Sequence, residues 1–238
     1  MSKKDYSSKS QEQNNKVEIT IEPKNDAKEQ STVVQKKSVK YIAAATAAKV
    51  AILTALAWIF YMYVKVKLPF IFPEFLEMQI SDLPALLGGF ALGPLWGCVI
   101  VVLKCLLKMP FSGTACVGEL ADIFVGVAFV LPASLVYKKQ KTKKGAFVGL
   151  LIGMAAAVAV SLLANRFVLV PFYVKAFFGG SFAPLLNMVS PLYPKVTEST
   201  FYLWYLGLGV LPFNIIRCAL SGGLTFALYK SLSRLLHI

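Results

Sequence analysis

Most of this chain is laid out as long apolar stretches with few interior charges, which leaves few ways to fold. A helix needs roughly 20 apolar residues to cross about 30 Å of hydrocarbon, where backbone polar groups must pair internally. Runs at about Val39–Val64, Leu95–Met109, Val117–Tyr137, Gly145–Val170 and Phe201–Leu236 meet or approach that length. A further segment, SDLPALLGGFALG (81–93), is apolar but short; Ser81 or Asp82 can cap its start, and Gly93-Pro94 ends it. The expectation is an all-α integral membrane protein of six helices, the second too short to span unaided.

Charge sharpens this reading. Residues 1–36 hold seven lysines and six acids, which leaves 18 basic and 6 acidic side chains for the other 202 residues. That opening stretch has no apolar signal-peptide core and is expected to be a disordered polar cytoplasmic tail, with VEITIE (17–22) its one strand-like piece. Residues 37–238 then form the membrane domain. Positive charge gathers at Lys36, Lys37 and Lys40, in KKQKTKK (138–144), and at Lys230 and Arg234. Six crossings with both termini in the cytoplasm bring all three clusters to one side, as basic loop retention requires; five would split them. Loops 65–81, 110–116 and 171–200 then face outward and roof a pocket, with 171–200 as its lid. A net charge of +13 therefore signals membrane topology rather than nucleic acid.

Several chemistries are excluded. GxxxxGK[ST], HExxH and GxSxG are all missing, the only histidine is His237, and the four cysteines are scattered singly. No catalytic set, metal site or resident cofactor is expected. An intramembrane enzyme remains the weaker alternative, because Glu119 and Asp122 stand three apart on one helix face.

Polar groups in apolar segments are costly and face protein, water or ligand. Lys104 is expected to pair with Glu119 or Asp122 across adjacent helices, and Arg166 to snorkel outward. Asn214 and Arg217 lie at i and i+3 in LPFNIIRC, beyond Pro212. An amide beside a fixed cation suits the edge of a flat heterocycle or an anion, and Asn165 is expected at similar depth. Small residues recur every fourth position at Ala43, Ala47, Ala51 and Ala55, at Gly89, Gly93 and Gly97, and at Gly145, Gly149 and Gly153. Such stripes let helices approach closely, and the alanine stripe suits either internal packing or a partner subunit.

Taken together, FPEFLEMQISDLPALLGGFALGPLWG, KCLLK, VGELADIFVG, ANRFVLVPFY and LPFNIIRC resemble the S components of energy-coupling-factor (ECF) vitamin transporters, the riboflavin-binding branch above all. The resemblance covers about residues 40–236 and implies a six-helix S-component fold in a bacterial, Gram-positive cell membrane. It implies a subunit that captures a vitamin outside and releases it inward with a transmembrane coupling subunit and two ATPases. It assigns Ala47, Ala51 and Ala55 to the coupling contact and Asn165, Asn214 and Arg217 to flavin binding, with Gln79 and Asp82 near the sugar-like chain. The family usually carries Lys at the place of Arg217, often an acid near Gln79, and tends to have Asn at Cys105 and Asp122. Because arginine can grip phosphate bidentately, riboflavin, flavin mononucleotide (FMN) and other small heterocycles stay open as cargo.

Overall fold

The computed structural model describes the backbone of residues 24–73 and 76–236 and the side chains of 42–73 and 76–228. The chain divides into two units, Met1–Ala45 and Thr46–Ile238. Helix α1 (Lys24–Tyr63) begins fifteen residues ahead of the expected Val39. Residues 24–36, assigned to a disordered tail, are therefore helical. Their Lys, Glu, Gln and Ala are good helix formers, and a nucleated apolar helix extends into them cheaply. VEITIE and the rest of 1–23 lie outside the described residues.

Within the second unit, α1 leads through strand β1 (Lys65–Lys67) and strand β2 (Glu77–Gln79) to α2 (Asp82–Ala91), α3 (Pro94–Lys108) and α4 (Val117–Lys139). Next come α5 (Lys143–Ala164), a π-helical turn (Asn165–Leu169) and α6 (Val170–Ala176), which form one continuous rod, then the short α7 (Ala183–Val189). The last rod comprises α8 (Phe201–Trp204), a second π-helical turn (Tyr205–Val210) and α9 (Leu211–Leu236). Among the described residues five helices are long and apolar enough to cross a membrane, whereas α2 has ten residues.

Two departures from the all-α expectation lie at the loops. The strands pair antiparallel, Lys65 opposite Gln79 and Lys67 opposite Glu77. Three residues each are too few to show an alternating pattern. Charge helps hold the pair: Glu77 meets Lys65 at 2.8 Å and Lys67 at 3.5 Å. Burial pushes the Glu77 carboxyl up, but the two ammonium groups outweigh it and hold it below the usual carboxylate range. Loop 171–200 is also partly helical, through α6 and α7. An aromatic cluster anchors it, with Phe182 packed edge-on to Phe201 at 4.9 Å and Phe201 stacked on Tyr205 at 5.2 Å.

One core joins α1 (Val50, Leu53, Ala57) to α2, α3, α4, α5 and Cys218 of α9. Outward faces carry Ile52, Leu56, Phe124, Leu151 and Leu163 in the open, as lipid contact requires. The glycine stripes sit inside the bundle except at Gly93, where an added Cβ would meet nothing within 4 Å. A Cβ added at Gly149 lies 2.6 Å from the carbonyl oxygen of Ala133, and one at Gly153 strikes that of Phe129, so α5 packs on α4 nearly backbone to backbone. Gly93 turns α2 into α3 at φ +111°, a conformation costly for any other residue. Replacing Gly149 with Leu is therefore expected to destabilise the protein by about 1–3 kcal/mol, read as a lower melting temperature in detergent.

Candidate functional site

The chain's most expensive groups meet near the start of α2. Asp82 is 2% exposed and accepts from two cations at once. Its Oδ1 takes a hydrogen bond from Lys104 Nζ of α3, and its Oδ2 lies 3.0 Å from Arg217 Nη2 of α9. Arg217 Nη1 reaches Asp122 Oδ1 of α4 at 2.7 Å, Gln79 Nε2 donates to Asp122 Oδ2 at 2.9 Å, and Lys104 also donates to Ser81 Oγ at 2.7 Å. Two cations and two carboxylates thus cancel, tying β2, α2, α3, α4 and α9 together. A buried charge without its partner costs several kcal/mol, so the members stand or fall together.

The expected partners of Lys104 are corrected here. Lys104 pairs with Asp82, whose position in the first turn of a short helix faces α3 directly. Asp122 serves Arg217 instead, and Glu119 pairs with Lys108 at 3.4 Å. Glu119 also accepts from Ser112 Oγ at 2.6 Å and Thr114 Oγ1 at 3.1 Å, folding loop 110–116 back over the start of α4. Arg166 lies over the Tyr202 ring at 3.7 Å, a cation–π contact in addition to its exposure.

Above this network is a cavity of about 520 Å³, within the range of small-molecule sites. Gln79, Asn165, Asn214 and Arg217 line it together; Asp82 does not, and stands behind Arg217 as its counter-charge. Gln79 Oε1 and Arg217 Nε are buried with no protein partner. The walls include Tyr61, Phe111, Leu169, Tyr173, Tyr205 and Phe213. Every lining cation has a carboxylate partner: Lys65 and Lys67 with Glu77, Lys108 with Glu119, and Arg217 with Asp82 and Asp122.

Prolines explain how Asn165 and Asn214 reach the cavity. Pro171 and Pro212 lack an N–H for the carbonyl four residues back, and each follows a π-helical turn. Asn165 opens the first turn, and Tyr205 opens the second. Tyr205 Oη donates to Asn165 Oδ1 at 2.7 Å, linking the two rods. Each asparagine steadies its own helix: Asn165 Nδ2 donates to the Ser161 carbonyl at 2.9 Å, and Asn214 Nδ2 to that of Val210 at 2.8 Å. Tyr61 and Tyr205 lie outside the motifs, and Tyr173 and Phe213 lie within ANRFVLVPFY and LPFNIIRC without being marked as site residues; only the prolines inside apolar runs could have flagged the wide turns.

A multi-pass helical protein with a neutral charge network under a polar and aromatic cavity is a membrane solute-binding protein. Residues 45–229 match the family described as ECF transporter, substrate-specific component. The chain belongs to that family: it is a transporter subunit, not an enzyme. It is 29% identical over 187 residues to the riboflavin transporter RibU of Staphylococcus aureus, covering 79% of this chain and 89% of that protein. It is 28% identical over 173 residues to the riboflavin transporter FmnP of Bacillus subtilis, covering 71% and 83%. Among solved structures it resembles one described as "Structure and mechanism of the S component of a bacterial ECF transporter", at TM-score 0.62 and 27% identity, covering 82% of this chain and 99% of that one.

Replacing Asp82 with Ala leaves Lys104 and Arg217 sharing Asp122 alone. The expected loss is about 3–5 kcal/mol in thermal or denaturant unfolding. Adding Lys104→Met, which restores a neutral Arg217–Asp122 pair, is expected to recover much of it.

Proposed function

We propose that this chain is the riboflavin-capturing subunit of a bacterial ECF transporter. It crosses the membrane with six helices, α2 lying short within the bundle, and keeps both termini in the cytoplasm, where the three basic clusters gather. A transmembrane coupling subunit and a pair of ATPases supply the motor, consistent with the missing phosphate loop. Ala47, Ala51 and Ala55 of α1 form the coupling contact; all three are exposed, while Val50, Leu53 and Ala57 turn inward.

The observation that carries the reading is the gathering of Gln79, Asn165, Asn214 and Arg217 on one cavity walled by aromatic rings. A flavin has a planar ring, an edge that alternates carbonyls with an N–H, and a chain of hydroxyls. The rings and Leu169 take the plane, where buried apolar area supplies most of the affinity. The amides of Asn165 and Asn214, with the free Nε of Arg217, meet the polar edge. Gln79 Oε1 accepts from a hydroxyl of the chain, and Asp82 keeps Arg217 in place without touching the cargo.

Riboflavin fits this site better than FMN. Each terminal nitrogen of Arg217 already meets a carboxylate, Asp82 or Asp122, and Lys108 meets Glu119, while Lys65 and Lys67 share Glu77. A phosphate dianion would therefore compete with resident carboxylates for most of the lining cations, whereas a neutral guest would not.

Riboflavin titration of the purified protein, followed by flavin fluorescence, tests both statements. Tight binding of riboflavin and weaker binding of FMN are expected. Asn214→Ala and Asn165→Ala should each weaken binding by about 1–3 kcal/mol, or roughly fivefold to 150-fold. Wild-type affinity in the folded Asn165→Ala/Asn214→Ala double variant would defeat the assignment.

A further inference from the structure

A second cavity shares no residue with the first, although Arg217 lines one and Cys218 the other. It is a groove of about 240 Å³ between α5 and α9, lined by Phe147, Leu150, Leu151, Met154, Gly222 and Phe226 among others. Phe147, Leu151 and Phe226 are 53%, 44% and 39% exposed, so the groove opens on the face turned to lipid. Two adjacent glycines help form it. A Cβ added at Gly222 would meet Leu150 at 3.4 Å, while one at Gly223 meets nothing within 4 Å. A helix, about 10 Å across with its side chains, is too thick for such a space, but an unbranched hydrocarbon chain is not.

What stands at the end of the groove identifies its occupant. Lys143, Phe147, Leu151 and Met154 fall on one stripe of α5, spaced by four, four and three residues. The stripe therefore runs from an ammonium group straight into the apolar channel. Lys144 is next to it, Lys138 and Lys139 end α4, and Lys141 lies in the connection; all five are exposed. None of the five meets a carboxylate at ion-pair distance among the described residues. Here the lysines differ from those of the solute cavity, each of which is paired. Lys143 and Lys144 also sit in the first turn of α5, where cations oppose the helix dipole and an anion relieves the conflict.

We propose that the α5–α9 groove is a binding site for an anionic phospholipid, one acyl chain lying along Phe147, Leu151 and Phe226 and the phosphate resting on Lys143 and Lys144. Basic loop retention explains why lysines lie on this side of the membrane. It does not explain an apolar channel that continues the same stripe. The site is independent of the flavin assignment.

Native mass spectrometry of the full chain in neutral detergent tests the proposal, with phosphatidylglycerol and phosphatidylcholine of identical acyl chains as probes. Wild type is expected to retain phosphatidylglycerol more strongly. Lys143→Gln/Lys144→Gln should cut that retention about fivefold per lysine, towards the phosphatidylcholine level. Gly223→Leu, which puts bulk into the channel at a position where an added Cβ meets nothing within 4 Å, should lower retention of both lipids. Melting temperature reports that each variant is folded. Equal retention of the two lipids by wild type overturns the proposal. So does full retention of phosphatidylglycerol by folded Gly223→Leu, which would mean loose adsorption of headgroups on lysines rather than a built site.

Discussion

Asp82 is the constraint on which the rest of this structure depends. A carboxylate shut away from water in a membrane protein is tolerable only when its charge is cancelled nearby. Here Lys104 and Arg217 cancel it from two different helices, and Asp122 balances the surplus from a third. The network does for this bundle what hydrophobic burial does for a soluble protein. Lipid is as apolar as leucine, so squeezing apolar side chains together offers little reason for helices to associate. Charges that must find one another do. They also dictate register, because a turn's slip of α3 or α9 would strand an ammonium or a guanidinium.

The same network shapes the cavity above it. Arg217 belongs to both: its terminal nitrogens face the carboxylates and its Nε remains without a protein partner. A cation spent this way is rigid and electrically neutralised, suited to hold a neutral planar guest by direction rather than by charge. The two wide turns complete the arrangement. Each rod loses its regular bonding ahead of a proline, and the disruption sets Asn165 and Tyr205 across from each other. Asparagine side chains pair back onto their own helices through Nδ2, so the amides keep a fixed orientation toward the cavity.

Much of this was legible in the residues, and the exceptions have physical causes. Apolar runs gave the helices to within a few residues at most ends, because length against bilayer thickness is a strong signal. The short α2 was visible through its Gly93-Pro94 stop. Asn165, Asn214 and Arg217 were visible because polar groups in apolar runs are expensive, Gln79 only through the family resemblance, and all four line one cavity. Asp82, expected near the cargo, does not line the cavity and is held by Lys104 and Arg217. Its charge was evident, but only packing decides whether a carboxylate faces a ligand or two cations. The pairing of Lys104 failed for the same reason: Glu119 and Asp122 were the expected partners, and the crossing of α2 with α3 brings Asp82 to it instead. Strands of three residues, the helices within 171–200 and the aromatic walls left no periodic mark. The early start of α1 was hidden because Lys, Glu and Gln suit a helix and a solvated tail equally well.

The bundle therefore has two characters along its length. Towards α4 and α5, glycines bring backbones into contact at Ala133 and Phe129, and close packing permits little rearrangement. Around the cavity the chain is in short pieces: a hairpin of two three-residue strands and loop 110–116 folded on Glu119. Pieces of this kind open at lower free-energy cost than long packed helices. The buried charges stand between the two regions, because a change of register in α3, α4 or α9 would separate Lys104, Asp122 or Arg217 from its partner, whereas the hairpin and loop rest on local contacts alone.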